Sequence, residues 1–73
     1  MIDVILATLR GYQFSIISAG AMRWGVCVCE IKVVIGDTVF DYRQEFETRH
    51  AIDLKTRLQS SLQGWCQLNF SRQ

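Results

Sequence analysis

The chain has no proline and no low-complexity stretch, so nothing in it marks a linker between two units. It has no apolar run near the roughly 20 residues that cross a bilayer, and the N-terminal IDVILATL carries neither a basic flank nor a small-residue cleavage site. A soluble, cytoplasmic protein with no membrane contact is the expectation. An excess of one charge is also missing: 8 Lys and Arg against 7 Asp and Glu leave a net charge of +1. That excludes a broad basic field for a nucleic-acid backbone or an anionic membrane. Three cysteines cannot all pair with one another, and they lack the even, spaced pattern of a secreted disulfide framework, which implies reduced thiols.

What the chain does have is apolar substance, 49% hydrophobic residues against 21% charged, which is globular usage. At 73 residues it makes a single small domain, 1–73, near the lower end of what folds alone. A partner or a second copy would help it.

The clearest local signal is Gly36-Asp37, a dipeptide suited to a two-residue hairpin turn because glycine supplies the positive φ. Counting outward pairs Ile35 with Thr38, Val33 with Phe40, Ile31 with Tyr42, Cys29 with Gln44 and Cys27 with Phe46 on a mostly apolar face. The opposite face pairs Val34 with Val39, Lys32 with Asp41 and Glu30 with Arg43, so two successive cross-strand pairs have opposite charges. Upstream, YQFSIIS predicts another strand, joined through the loop Ala19-Gly20-Ala21-Met22 to a long central strand, Arg23 to Ile35. Phe14 then faces Cys27, Tyr12 faces Cys29, Ile16 lies opposite Gly25 and Ile17 meets Trp24.

A helix is predicted from about Arg49 to Gln63, with Thr48 as N-cap and Gly64 as terminator. Its apolar stripe is Ala51, Leu54, Leu58, Leu62 and Trp65, with Ile52 beside it. WCQLNF suggests a short final strand or tail. At the N-terminus, Ile2, Ile5, Leu6 and Leu9 fit a short helix between Asp3 as N-cap and Gly11 as terminator, while IDVILATL equally suits an extra strand; the short helix is the favoured reading. The fold class is therefore α+β: a three- or four-stranded antiparallel meander with a C-terminal helix on one face and a short N-terminal helix, in αβββα order.

Residues two apart on a strand share a face, so Cys27 and Cys29 point at the helix as small apolar fillers. No metal site and no cofactor is expected: His50 and Cys66 lie near opposite ends of the helix, roughly 20 Å or more apart, and the spacing matches no Cys/His ligand pattern. Arg49 and His50, in the first helical turn, are candidates for an anion contact, balanced by Glu45 and Glu47 just upstream. Asp41, Glu45 and Glu47 alternate on an exposed strand face, which normally just meets water. Neither buried cysteine has a base nearby. Three thin layers also leave little room for a pocket of about 300 Å³. An enzyme is not expected.

The αβββα order resembles the layout of double-stranded RNA-binding domains. Those domains carry a lysine cluster opening the final helix and a histidine-bearing loop between the first two strands, where this chain has RHAIDLKTR and AGAM. The resemblance implies nucleic-acid contact through Arg49, His50, Lys55 and Arg57, a thin cationic stripe with Asp53 inside it. That is the alternative reading, and nucleic acid is the less favoured partner.

The favoured one rests on the outer sheet face, where Trp24, Val26 and Val28 line up and Ile17 joins them across the hairpin. Polar residues belong there; these make an apolar strip with an aromatic anchor, the composition of a partner-binding surface. The competing arrangement folds the N-terminal segment over the strip and buries it. The sequence thus points to a non-enzymatic interaction module or regulator, acting on a protein partner or on itself as a homodimer. By size alone it sits with phage and mobile-element inhibitors such as anti-CRISPR proteins.

Overall fold

Glycine at residue 36 settles the first hairpin. In the computed structural model, which describes residues 1–70 apart from the side chains of residues 21 and 50–52, Gly36 has φ of +61°. With Asp37 on the ordinary side of the map, this is the pattern of a type II′ turn. The strands on either side, β2 (Val26–Ile35) and β3 (Thr38–Glu47), pair in the register counted from the turn, from Ile35 opposite Thr38 to Cys27 opposite Phe46. Alternation then carries Cys27, Cys29, Ile31 and Val33 into the core, all at 1% exposure or less, with Tyr42 and Phe46 beside them.

The second hairpin departs from expectation. β1 runs Gln13–Arg23 and turns at Trp24-Gly25, so Ala19 to Met22 are strand rather than loop and the central strand starts at Val26. Phe14 faces Val33 instead of Cys27, and Ile16 faces Ile31 instead of Gly25. Tyr12 precedes the strand and packs on Phe70, with ring centroids 5.2 Å apart. The slip is six residues, an even number, so Phe14 and Ile16 keep their inward face despite the changed partners. Because β1 must match a shorter stretch of β2, Ile17 and Gly20 have no partner and form two bulges. The result is one three-stranded antiparallel sheet in the order β1-β2-β3.

One face of this sheet is covered twice. Helix α1 (Ile2–Thr8) drops Ile5 and Leu9, both fully buried, into the same cluster as the strand residues, and the Met1 thioether accepts the Cys27 thiol at 3.6 Å. It therefore lies on the helix side and leaves the outer face open, contrary to the arrangement in which it would fold across that strip. Helix α2 (Leu54–Phe70) follows a 3-10 segment, Thr48–Asp53, and buries Leu54, Leu58, Leu62 and Phe70.

Three expectations for α2 are corrected. Thr48 caps no helix but donates its hydroxyl to the Gly25 carbonyl at 3.0 Å. Gly64 does not end the helix, and WCQLNF is neither strand nor tail but its last turns. A glycine inside a helix costs about 1 kcal/mol, whereas burying a side chain the size of Phe70 returns roughly 1.5–3 kcal/mol. Phe70 also meets Phe40 and Trp65 edge-on at 5.0 and 5.2 Å, so continuation wins. The Ala51 and Ile52 positions of the expected stripe lie outside the described residues.

Leu58 and Leu68 separate core from surface on the same helix, one fully buried and the other 83% exposed. Leu58→Ala should lower stability by roughly 2–5 kcal/mol, a large share of what so small a domain has. Leu68→Ala should shift the urea midpoint hardly at all, and equal losses would place α2 wrongly on the sheet.

Candidate functional site

The β1–β2 turn is built from an unusual pair. Trp24 has φ of 55° and Gly25 of 73°, with Arg23 paired to Val26 across them, the signs a type I′ turn requires. Glycine takes that region freely, but a bulky L-residue does so at roughly 1–2 kcal/mol. Among the described residues Trp24 is the one non-glycine with positive φ. Its side chain recovers nothing by burial, being 93% exposed. Conformational cost and an exposed indole thus coincide at one residue.

The backbone behind it is held firmly. The Gly25 carbonyl accepts both the Thr48 N–H at 2.8 Å and the Thr48 hydroxyl, which ties the turn to the start of the 3-10 segment. Trp24, Gly25, Val26, Glu47, Thr48 and Arg49 line a groove of about 410 Å³ at this end of the sheet. Arg49 forms an ion pair with Glu47 on its rim. Met22, assigned to a loop by sequence, sits near the same end of β1 and is also exposed. The Trp-Gly dipeptide followed by an alternating strand was the signal that could have located both.

Of the expected strip, Val26 and Val28 are half-buried and follow Trp24 along β2. Ile17 does not complete it. The sequence placed Ile17 opposite Trp24, but the longer β1 leaves it at the bulge beside the Ile31 and Glu30 pairs, seven positions earlier on the chain. The outer face is further divided by charge. Lys32 pairs with Asp41 at 3.4 Å, and Arg43, although opposite Glu30, takes Glu45 on its own strand at 2.7 Å. The apolar surface is therefore concentrated at the hairpin tip.

The cationic stripe is largely neutralised. Arg49 is held by Glu47, and the Lys55 ammonium donates to Asp3 at 3.1 Å across the two helices. Arg57 forms no ion pair among the described residues, and the His50 side chain lies outside them. Lys55, with the N-terminal ammonium next, holds the Asp3 carboxyl down at about 2.

The thiols are quiet. Burial, with the neighbouring Cys27 adding to it, pushes Cys29 up to about 11, and burial pushes Cys66 up as well; all three cysteines are free. Among the described residues no three His, Cys, Asp or Glu side chains gather as metal ligands.

A wider groove than the sequence suggested, about 640 Å³, opens between β3 and α2, lined by Gln44 to Glu47 and by Thr56, Arg57, Ser60 and Ser61. It exists because α2 presents short side chains over that edge. Of its serines, Ser61 shares a 2.8 Å hydrogen bond with the Tyr42 phenol. Burial raises the Tyr42 pKa, while the Ser61 bond lowers it. No described helix is long and apolar enough to cross a membrane. Comparison with family models, with curated proteins and with solved structures finds no match to this chain.

Two titrations check these assignments. Asp3 should titrate near 2 by NMR and move back toward 3.8 in Lys55→Met. Because its folded pKa is depressed, its contribution to stability is present above about pH 4 and disappears as pH falls through 2. Cys29 has the opposite sign: raised from 9.0 to about 11, it favours the fold below pH 9 and ceases to do so as pH rises through 11. Thiol labelling at neutral pH should accordingly reach Cys27 and Cys29 only at the rate of unfolding, and rapid labelling of the native protein would contradict the packing described.

Proposed function

We propose that this chain is a non-enzymatic protein-interaction module that presents Trp24 at the β1–β2 hairpin tip to a protein partner, with Val26 and Val28 as the apolar surround. A small regulator or inhibitor, of the kind phages and mobile elements carry, fits this reading. What supports it is the coincidence at Trp24: a turn position that favours Asn or Gly for folding holds instead the residue type that dominates interface energetics. Strain kept at an exposed position is explained by use rather than by stability. The tip also has what an anchor needs around it, a groove with a charged rim formed by Glu47 and Arg49 and a backbone pinned by Thr48. A nucleic-acid role has less in its favour, since two of its three described cations are already paired with carboxylates.

Trp24→Asn separates folding from function. It turns the tip into Asn-Gly, the preferred type I′ sequence, so the urea midpoint should rise by an amount equivalent to about 1 kcal/mol. Binding should fall by about 30-fold or more, the effect of removing an interface anchor worth about 2 kcal/mol. Immobilised wild-type and variant chains, compared by quantitative mass spectrometry of what each retains, read the second effect. Equal retention by both would remove the proposal.

A further inference from the structure

The two outer edges of the sheet are built differently. β1 is broken by bulges at Ile17 and Gly20, the usual device for discouraging a neighbouring strand, whereas β3 is ten residues long, free of bulges and without proline. Its free groups can be identified. Thr48 donates its N–H to Gly25 in continuation of the β2–β3 ladder, and strand pairing alternates, so even-numbered residues of β3 bond to β2. Val39, Asp41, Arg43 and Glu45 therefore direct their N–H and C=O groups toward the open edge, with side chains on the outer face.

We infer that two copies of this chain pair antiparallel through the free edges of β3, forming one six-stranded sheet. Charge decides the register. Centring the two-fold axis on Asp41, Arg43 or Glu45 sets that residue against its own copy, like charge on like. Centring it on Gln44 pairs Arg43 with Glu45 but sets Asp41 against Glu47. Centring on Tyr42 alone, among registers that overlap along most of the strand, sets Asp41 against the partner's Arg43 on both sides of the axis, with Val39 opposite the partner's Glu45. Every directly facing charged pair within the strands is then opposite in sign, and the one like pair, Asp37 against the partner's Glu47, falls at the turn, outside β3. Those same pairs are the ones whose backbone groups face the edge, so hydrogen bonding and charge select one register together.

The space for a second strand is present as well. The 640 Å³ groove runs along the later half of β3, and α2 lines it with Thr56, Ser60 and Ser61. In this register Gln44 meets the partner's Phe40, and Phe46 meets the partner's Thr38, beneath that flank. The seam does not use Trp24, so it stands independently of the function proposed above and leaves the two tips free.

Sedimentation equilibrium tests the association, and an isotope-filtered NMR experiment on mixed labelled and unlabelled chains tests its register. The average mass should climb from 8.4 kDa toward twice that value as concentration rises to about 1 mM, as expected of a small interface. The mixed sample should show an Hα–Hα contact between Phe40 and the partner's Gln44, which face each other as a non-hydrogen-bonded pair. Arg43→Pro removes an N–H that β2 does not use, at an edge where proline is tolerated, and should return the mass to 8.4 kDa with the circular dichroism unchanged. Should Arg43→Pro fail to fold, the wild-type Hα–Hα contact decides alone. A wild-type chain that stays at single mass, a folded Arg43→Pro that still dimerises, a dimer with a different contact pattern, or a dimer lost in Trp24→Asn would each overturn the inference.

Discussion

Everything in this molecule is oriented by the turn at Gly36-Asp37. Because side chains on a strand alternate with a period of two, fixing one pair beyond the turn fixes the direction of every residue from Val26 to Glu47. Cys27, Cys29, Ile31 and Val33 become the floor of the core, and Lys32, Asp41, Arg43 and Glu45 become the open face. The helices answer that pattern. Leu58 and Leu62 of α2 and Ile5 of α1 are buried because the sheet offers one apolar side and α2 is long enough to close it with Phe70.

Much of this was legible in the chain because the signals were local. The Gly-Asp turn, the opposite charges at Lys32 and Asp41 and the spacing of Leu54, Leu58 and Leu62 each involve residues whose mutual geometry follows from one short element. Failures came where tertiary contacts outweighed local preference. Gly64 reads as a stop, and only the burial of Phe70 against Tyr12 before β1 and Phe40 of β3, with Trp65 of its own helix beside it, explains why the helix runs through it. The β1–β2 hairpin was misplaced for a related reason: Ala19 to Met22 resemble a loop more than Trp24-Gly25 resembles a turn. The longer β1 is stabilised by pairing along nearly all of β2, at the expense of two bulges and one strained residue.

The candidate site was legible in part. Trp24 was recognisable as an exposed aromatic from the alternation of its strand, although its true place is a turn rather than the sheet face. Ile17 was assigned to it through the wrong register, and Met22 was missed through the same error. The cations were visible but their partners were not. Asp3 lies 52 positions from Lys55, and only the docking of α1 against α2 brings them together.

The contrast between the two turns also bears on the order in which the chain assembles. Both hairpins close over two residues, so neither demands a long search, and a meander of adjacent strands keeps contacts near in sequence. Gly36 accepts its conformation at no steric cost, whereas Trp24 must be forced into its own. The ribbon of β2 and β3 is thus the natural nucleus, and β1 is laid onto a template already formed. Trp24, the most exposed large hydrophobic residue among those described, is then among the last to be set in place.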